Sequence, residues 1–412
     1  MKRRDFLRTT ALGTAAMALA GGAGADDSTT NAKPMSATRD ARLPRRRLGK
    51  TDLEISNLGF GGFHQVEVSQ DVIERVMARY LAAGGTYVET ARWYGAGTSE
   101  KKVGKALKAC KADVVLASKS PAREQERAWR ELNESMENLG VDYINVYFFH
   151  NISKAEDLDT TCADKGAVKA FERARDEKMI GHMAMSSHWP MFYIEGAKRL
   201  PIEAVLIWGN YLDYCNFPEI PNEVLPFLKE RDIGLLFMKP VGDGYLYRSV
   251  RDAFRYADSF EPTSLVSGFN SIEMLESDLA VCCDATPVTR EEVGRIRRDA
   301  PELGDYVCRQ CGRCTVCDDG DTLKRVFELE GKVDRQMDDR RPVDAGMYAL
   351  RERLKNWFGS ADRARELYAS MGRPGPKLAE GPLRKCRYGL DAQRKLQIAH
   401  AKLTDGVDVR LI

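Results

Sequence analysis

The sequence predicts an α/β protein: a (β/α)8 barrel followed by a smaller, mainly helical C-terminal domain. Three observations carry this expectation. Eight short β-rich runs recur, at residues 56–61, 86–90, 114–117, 143–149, 181–186, 204–208, 234–238 and 265–268. Helix-like segments fall between them, at 70–83, 124–139, 167–177, 224–230 and 272–280. Eight such alternations over about 250 residues have the size and pattern of a barrel. Finally, five of the ten cysteines lie at or beyond Cys308, outside that repeat. A doubly wound open sheet also alternates, but it usually carries a Gly-rich turn after its first strand. Gly59-Phe60-Gly61-Gly62 lacks the GxGxxG spacing.

Composition narrows the class. Of 412 residues 43% are hydrophobic, enough for a large core. Sixty-three Lys and Arg against 61 Asp and Glu leave a net charge of +2, which argues against a nucleic-acid partner. Ten cysteines are too sparse for a disulfide scaffold.

Taken in order, residues 1–25 read as an export signal. Lys2, Arg3 and Arg4 form a charged start, 9–20 are weakly apolar, and Ala23-Gly24-Ala25 suits a cleavage site. Arg3-Arg4-Asp5-Phe6-Leu7 resembles the twin-arginine (Tat) signal, ahead of an ordinary Sec signal or a chance basic terminus. Residues 26–43, small and polar, read as a flexible linker. No other run approaches 18 apolar residues, so no stable membrane span is expected in the mature protein. The expected location is periplasmic or otherwise extracytoplasmic, reached in the folded state. The barrel is expected over 44–290 and the C-terminal domain over 300–412.

Several barrel motifs together resemble the aldo-keto reductases. Arg46-Arg47-Leu48-Gly49-Lys50-Thr51-Asp52 looks like the hairpin that plugs the bottom of that barrel, and Leu58-Gly59-Phe60-Gly61-Gly62 like its first strand. The segment 85–95, ending in Tyr94-Gly95 and followed by Ser99-Glu100, resembles the signature after the second strand. The segments 139–150, 178–188, Met238-Lys239-Pro240 and 268–279 also match in order. The resemblance spans roughly residues 45–285 and implies a TIM barrel performing carbonyl and alcohol redox with NADP or NAD.

The same resemblance assigns a catalytic set. Tyr94 matches the tyrosine that protonates the carbonyl oxygen, Lys119 the lysine that lowers its pKa, and His150 the histidine that orients the substrate. Glu89 stands where the family has aspartate. These residue types suit the chemistry: a phenol of pKa near 10 donates poorly at neutral pH unless a cation stabilises the phenolate. Glu89 adds a methylene, so its carboxylate is expected more than about 1 Å from the family position, a shift that can cost roughly a hundredfold in rate. On the cofactor side, Ser186-Ser187 replaces a Ser-Asn pair, Leu206 a glutamine and Met238 a stacking aromatic. Lys239 follows, and the phosphate loop is Gly268-Phe269-Asn270-Ser271, with no basic residue for a 2′-phosphate.

Beyond the barrel, Cys308, Cys311, Cys314 and Cys317 form CxxCxxCxxC. Thiolates at three-residue intervals can wrap one cluster from a single loop. Structural zinc usually splits its ligands into two distant CxxC pairs, and disulfides between cysteines this close are strained. Cys386-Arg387-Tyr388-Gly389-Leu390 resembles the last cysteine of a two-cluster bacterial ferredoxin module, with Arg387 where proline is usual. One 4Fe-4S cluster on Cys308, Cys311, Cys314 and Cys386 is the expected assignment, leaving Cys317 as the orphan of a lost second cluster. The competing assignment uses Cys317 in place of Cys386. Cys110, Cys162, Cys215, Cys282 and Cys283 read as buried free thiols, and 344–354 and 361–371 as helices.

The combined expectation is an exported oxidoreductase acting on a small carbonyl or alcohol substrate, with a redox partner protein reached through the cluster. A barrel that no longer catalyses, serving as an electron-transfer or binding module, is the alternative. A nicotinamide pool is not expected outside the cytoplasm. Either the dinucleotide travels tightly bound or the cluster is the electron port.

Overall fold

The computed structural model describes residues 42–337 and 361–404. The expected export signal, all of the linker but Arg42 and Leu43, and the expected helix at 344–354 lie outside the described residues. Leu43 is buried, and its N–H donates to Ala83 O at 2.9 Å.

A hairpin opens the described chain. β1 (Arg45–Arg47) pairs antiparallel with β2 (Glu54–Ser56). Leu48 and Ile55 are fully buried and join the core inside the barrel, so the hairpin closes one end of it. Eight parallel strands follow: β3 (Leu58–Gly61), β4 (Tyr87–Glu89), β5 (Val115–Ser120), β6 (Ile144–Phe149), β7 (Ile180–Ser186), β8 (Ala204–Trp208), β9 (Gly234–Met238) and β10 (Ser264–Ser267). Each pairs with the next, and β10 returns to β3 to close the barrel. Strands buried on both faces need continuous apolar runs rather than alternation, as in INVYFF, AVLIW and GLLFM. Tyr87, Phe148, Leu206 and Leu236 fill the interior.

Ten helices occupy the connections: α1 (Gln70–Ala82), α2 (Thr98–Cys110), α3 (Gln125–Leu139), α4 (Ala155–Cys162), α5 (Ala167–Asp176), α6 (Phe192–Arg199), α7 (Tyr211–Asn216), α8 (Leu225–Glu230), α9 (Val250–Asp258) and α10 (Ile272–Cys282). Their apolar faces meet the outer faces of the strands in one continuous core. α7 is the exception, because all six of its residues are buried.

After α11 (Arg290–Asp299), the chain stays on the barrel for longer than its sequence pattern suggests. Ile296, Ala300, Leu303 and Val307 belong to the barrel's outer core, and so does Met337. The remainder is helical among the described residues: α12 (Gly320–Asp334), α13 (Ala361–Ser370), α14 (Gly375–Glu380) and α15 (Ala392–Thr404). These helices enclose a second small core, including Leu323, Val326, Phe327, Tyr368 and Leu396.

Candidate functional site

The ends of β4, β5 and β6 bring four side chains together at the C-terminal rim of the barrel, where barrel enzymes place their chemistry. Glu89 is the last residue of β4, Lys119 lies in β5, and His150 follows β6 directly. Tyr94 opens the short turn after β4. Lys119 has no exposed surface. Its Nζ lies 2.7 Å from Glu89 Oε1, donates to Thr90 O at 2.8 Å and reaches Tyr94 Oη at 3.4 Å. The His150 ring stands edge-on to Tyr94, centroid to centroid 5.7 Å. The extra methylene of Glu89 therefore does not break the ion pair expected of a carboxylate here.

The charges follow from burial and contact. Burial alone would lower the lysine, but Glu89 and Tyr94 outweigh it and hold Lys119 above its usual range. Glu89 is pushed up by burial, against the pull of Lys119. Tyr94 is raised as well: burial prevails over the lowering by Lys119, so the phenol rests protonated. This reverses the net direction expected from the lysine alone. Burial, then Lys119, drives His150 well below the usual imidazole range, so its ring is neutral. Glu89 Oε2 and His150 Nδ1 are buried without a hydrogen-bond partner, an arrangement that favours a polar ligand at this spot.

The residues expected on the cofactor side are less converged. Ser186 Oγ accepts from Asn151 N at 2.9 Å. Ser187 Oγ accepts from Trp189 N at 2.9 Å and donates to Trp189 O at 3.0 Å, so its hydroxyl serves its own loop. Leu206 lies inside the barrel, and Met238 packs against both core regions at the end of β9. Lys239 has a left-handed backbone (φ 57°), and its Nζ lies 3.1 Å from Asp243 Oδ1. Gly268 gives room to His64, whose Cδ2 would stand 2.5 Å from an added Cβ. Asn270 shares the turn with Ser271, whose Oγ caps α10 by accepting from Met274 N at 3.2 Å. Loops after the seventh and eighth strands and a helix N-terminus are where barrels commonly hold phosphate.

Sequence reasoning gave no role to several groups at this rim. Trp93 is 63% exposed, with its ring 6.1 Å from His150. Trp208, the last residue of β8, stacks on His188 at 5.8 Å and 16°. Trp93 lies within the 85–95 segment and Trp208 closes the 204–208 run, so their place in those segments was the available signal. Asp213, Asp243 and Arg335 form a buried ion cluster that no local motif announces.

The cysteines are gathered but not converged. Cys308, Cys314 and Cys386 border the small C-terminal core, and Cys317 lies within it. Cys215 on α7 lies within electrostatic reach of Cys308. All ten cysteines are free, so the disulfide alternative is not adopted. Among the described residues no three His, Cys, Asp or Glu side chains are placed to hold a metal ion. The donor set has thiol chemistry suited to a cluster, but the geometry of a closed site is not formed.

An eight-stranded parallel barrel with a lysine, phenol and imidazole at its C-terminal rim defines a barrel oxidoreductase. The chain belongs to the aldo/keto reductase family, whose model matches residues 57–297, more than half of it. An uncharacterized oxidoreductase of Bacillus subtilis, YqkF, is 27% identical over 216 residues, covering 50% of this chain and 67% of the relative. The L-galactose dehydrogenase of Arabidopsis thaliana is 25% identical over 218 residues, with the same coverages. Among solved structures, the holo form of the aldo-keto reductase AKR11C1 from Bacillus halodurans is 25% identical, with a TM-score of 0.53. That likeness covers 62% of this chain and 96% of the other.

Proposed function

We propose that this oxidoreductase interconverts small carbonyls and alcohols with a nicotinamide dinucleotide, NADP or NAD. One observation carries the reading: a single buried ammonium within hydrogen-bond range of both Glu89 and Tyr94, beside a neutral His150. A reduced nicotinamide, when bound, supplies the hydride. Tyr94 donates its proton to the carbonyl oxygen, and Lys119 stabilises the phenolate left behind. Glu89 keeps Lys119 charged and in place. His150 hydrogen-bonds the substrate oxygen without carrying a charge of its own. Replacing Tyr94 by Phe is expected to lower turnover of a simple aldehyde by roughly 10²–10⁴-fold, with dinucleotide binding retained. Equal turnover by Tyr94→Phe and the parent chain would defeat this assignment.

A second reading has its own observation. The Ser187 hydroxyl is spent on its own loop and Leu206 faces the barrel interior, so two expected carboxamide partners are not offered. A barrel altered in this way serves instead as an electron-transfer or binding module. Tryptophan quenching by NADPH or NADH separates the two readings, because the module binds neither.

The C-terminal cysteines extend the proposal. The CxxCxxCxxC spacing and the gathering of thiols around one core support a single 4Fe-4S cluster in a ferredoxin-like module, reached by a redox partner protein. Cys308, Cys311, Cys314 and Cys386 would hold it. Anoxic preparations of single Cys→Ser variants decide the fourth ligand by iron and sulfide content: Cys386→Ser is expected to lose the cluster and Cys317→Ser to keep it. The opposite result reassigns the ligand, and zinc without iron in the parent chain ends the cluster reading. Arg3-Arg4 supports folded export to the periplasm, with an already loaded cofactor as the reason for that route.

A further inference from the structure

The end of α12 and the residues just after it reach into the catalytic rim of the barrel. Lys332 Nζ lies 2.9 Å from Glu219. Asn216 Nδ2, from α7, donates to Gln336 O at 3.2 Å, and Gly331 approaches Asn216 so closely that a Cβ would overlap its amide. Between these contacts stands Arg335, only 3% of its side chain exposed. Its Nη2 is 2.6 Å from Asp213 Oδ1, and its Nη1 is 3.2 Å from Asp243 Oδ2 and donates to Gly242 O at 3.1 Å. Asp243 is shared with Lys239 at 3.1 Å. Among the described residues, two carboxylates, one ammonium and one guanidinium thus balance in a buried position.

The loop that follows β9 is held in an uncommon shape. Lys239 and Asp243 have φ of 57° and 59°, a left-handed conformation that side-chain-bearing residues avoid. Such a shape persists only when its surroundings over-determine it. Within the loop Gly242 N donates to Lys239 O at 2.8 Å and Leu246 N to Val241 O at 3.1 Å; from outside it Asn210 Nδ2 donates to Lys239 O at 2.9 Å, and Arg335 grips Gly242 and Asp243. The loops after the seventh and eighth strands, here this loop and the capped start of α10, are where (β/α)8 barrels frequently hold phosphate.

We propose that Arg335 is a positioning residue for the barrel site. Supplied by the C-terminal segment, it fixes the 239–246 loop and cancels the excess carboxylate there, so that the rim does not repel the anionic diphosphate of a dinucleotide. The second half of this inference rests on the nicotinamide reading above. Without Arg335, the described cluster sets two carboxylates, Asp213 and Asp243, against one ammonium, Lys239, an excess of one buried negative charge.

The test uses the full chain with Arg335→Met and the double variant Arg335→Met/Asp243→Asn. Hydrogen exchange of the 239–246 amides and tryptophan quenching by NADPH and NADH are read on each. Arg335→Met is expected to speed exchange in that loop and to weaken dinucleotide binding by roughly tenfold or more. The double variant, neutral again at the rim, is expected to recover most of the binding. Binding by Arg335→Met within twofold of the parent, or no recovery in the double variant, overturns the proposal. If the parent chain binds neither dinucleotide, the nicotinamide reading fails on its own. The exchange data then judge Arg335: unchanged exchange removes its positioning role, and faster exchange sustains it.

Discussion

Glu89 carries one methylene more than the family resemblance leads one to expect, and the barrel absorbs it by keeping Oε1 2.7 Å from Lys119. Both side chains are almost wholly buried, so neither charge has water to fall back on. Replacing Glu89 by Gln keeps the shape but leaves the ammonium unpaired. The expected cost is about 3–5 kcal/mol of stability, with the Lys119 pKa falling as its largest supporting charge is lost. Thermal unfolding and the pH–rate profile read the two effects, and a variant as stable as the parent chain would mean that Thr90 O and Tyr94 Oη suffice to hold Lys119. The positions of Glu89, Tyr94, Lys119 and His150 are legible in the sequence because Glu89 and Tyr94 share the 85–95 segment and Lys119 and His150 close apolar strand runs. Arg335 is not legible, since its partner Asp243 lies 92 residues away and only the docking of α12 brings them together.

At the scale of elements, α10 is fastened to β10 by a buried acid. Asp278 accepts from Ser267 Oγ at 2.6 Å, and burial pushes its pKa up to about 7. The folded value lies above the unfolded value of about 3.9. The protonated acid therefore gives its full stability below pH ~4, and that stability fades as pH rises through 7. Asp278→Asn keeps a polar partner for Ser267 and cannot ionise. It is expected to raise Tm at pH 8 and to flatten the dependence between pH ~4 and 7, measured by scanning calorimetry across that range. An unaltered pH dependence would remove Asp278 as its source. The strands were the most legible elements, because central barrel strands show as unbroken apolar runs. Helices α2 and α9 have no counterpart among the expected segments: α2 carries four lysines in its thirteen residues, and α9 is nine residues long and buries Arg255 among its apolar side chains, so both read as less apolar than they pack. α7 has no outward face at all, so a helical period has nothing to alternate against.

At the scale of the whole molecule, the C-terminal helices and the barrel are joined through buried charge. Glu330 on α12 has no exposed surface, and its two oxygens lie 3.0 Å from Lys395 and 3.0 Å from Lys402 on α15. Lys402 also meets Asp334 at 2.9 Å. Tyr306, on the stretch that packs against the barrel, donates to Glu330 at 2.9 Å and lays its ring 3.8 Å from Lys395. A second tie runs from Tyr211 on α7, which donates to Glu302 at 2.8 Å. Glu330→Gln leaves Lys402 with Asp334 and Lys395 as a buried ammonium without its carboxylate. By the cost of breaking a buried pair it should destabilise the protein by about 3–5 kcal/mol. Because Tyr306, Arg335 and Lys332 tie the same helices to the barrel, the loss is expected to lower one shared calorimetric transition. Two resolved transitions, with the barrel's unmoved, would instead make the cysteine-bearing helices an independent unit, and Arg335 would then grip the rim from a domain able to let go.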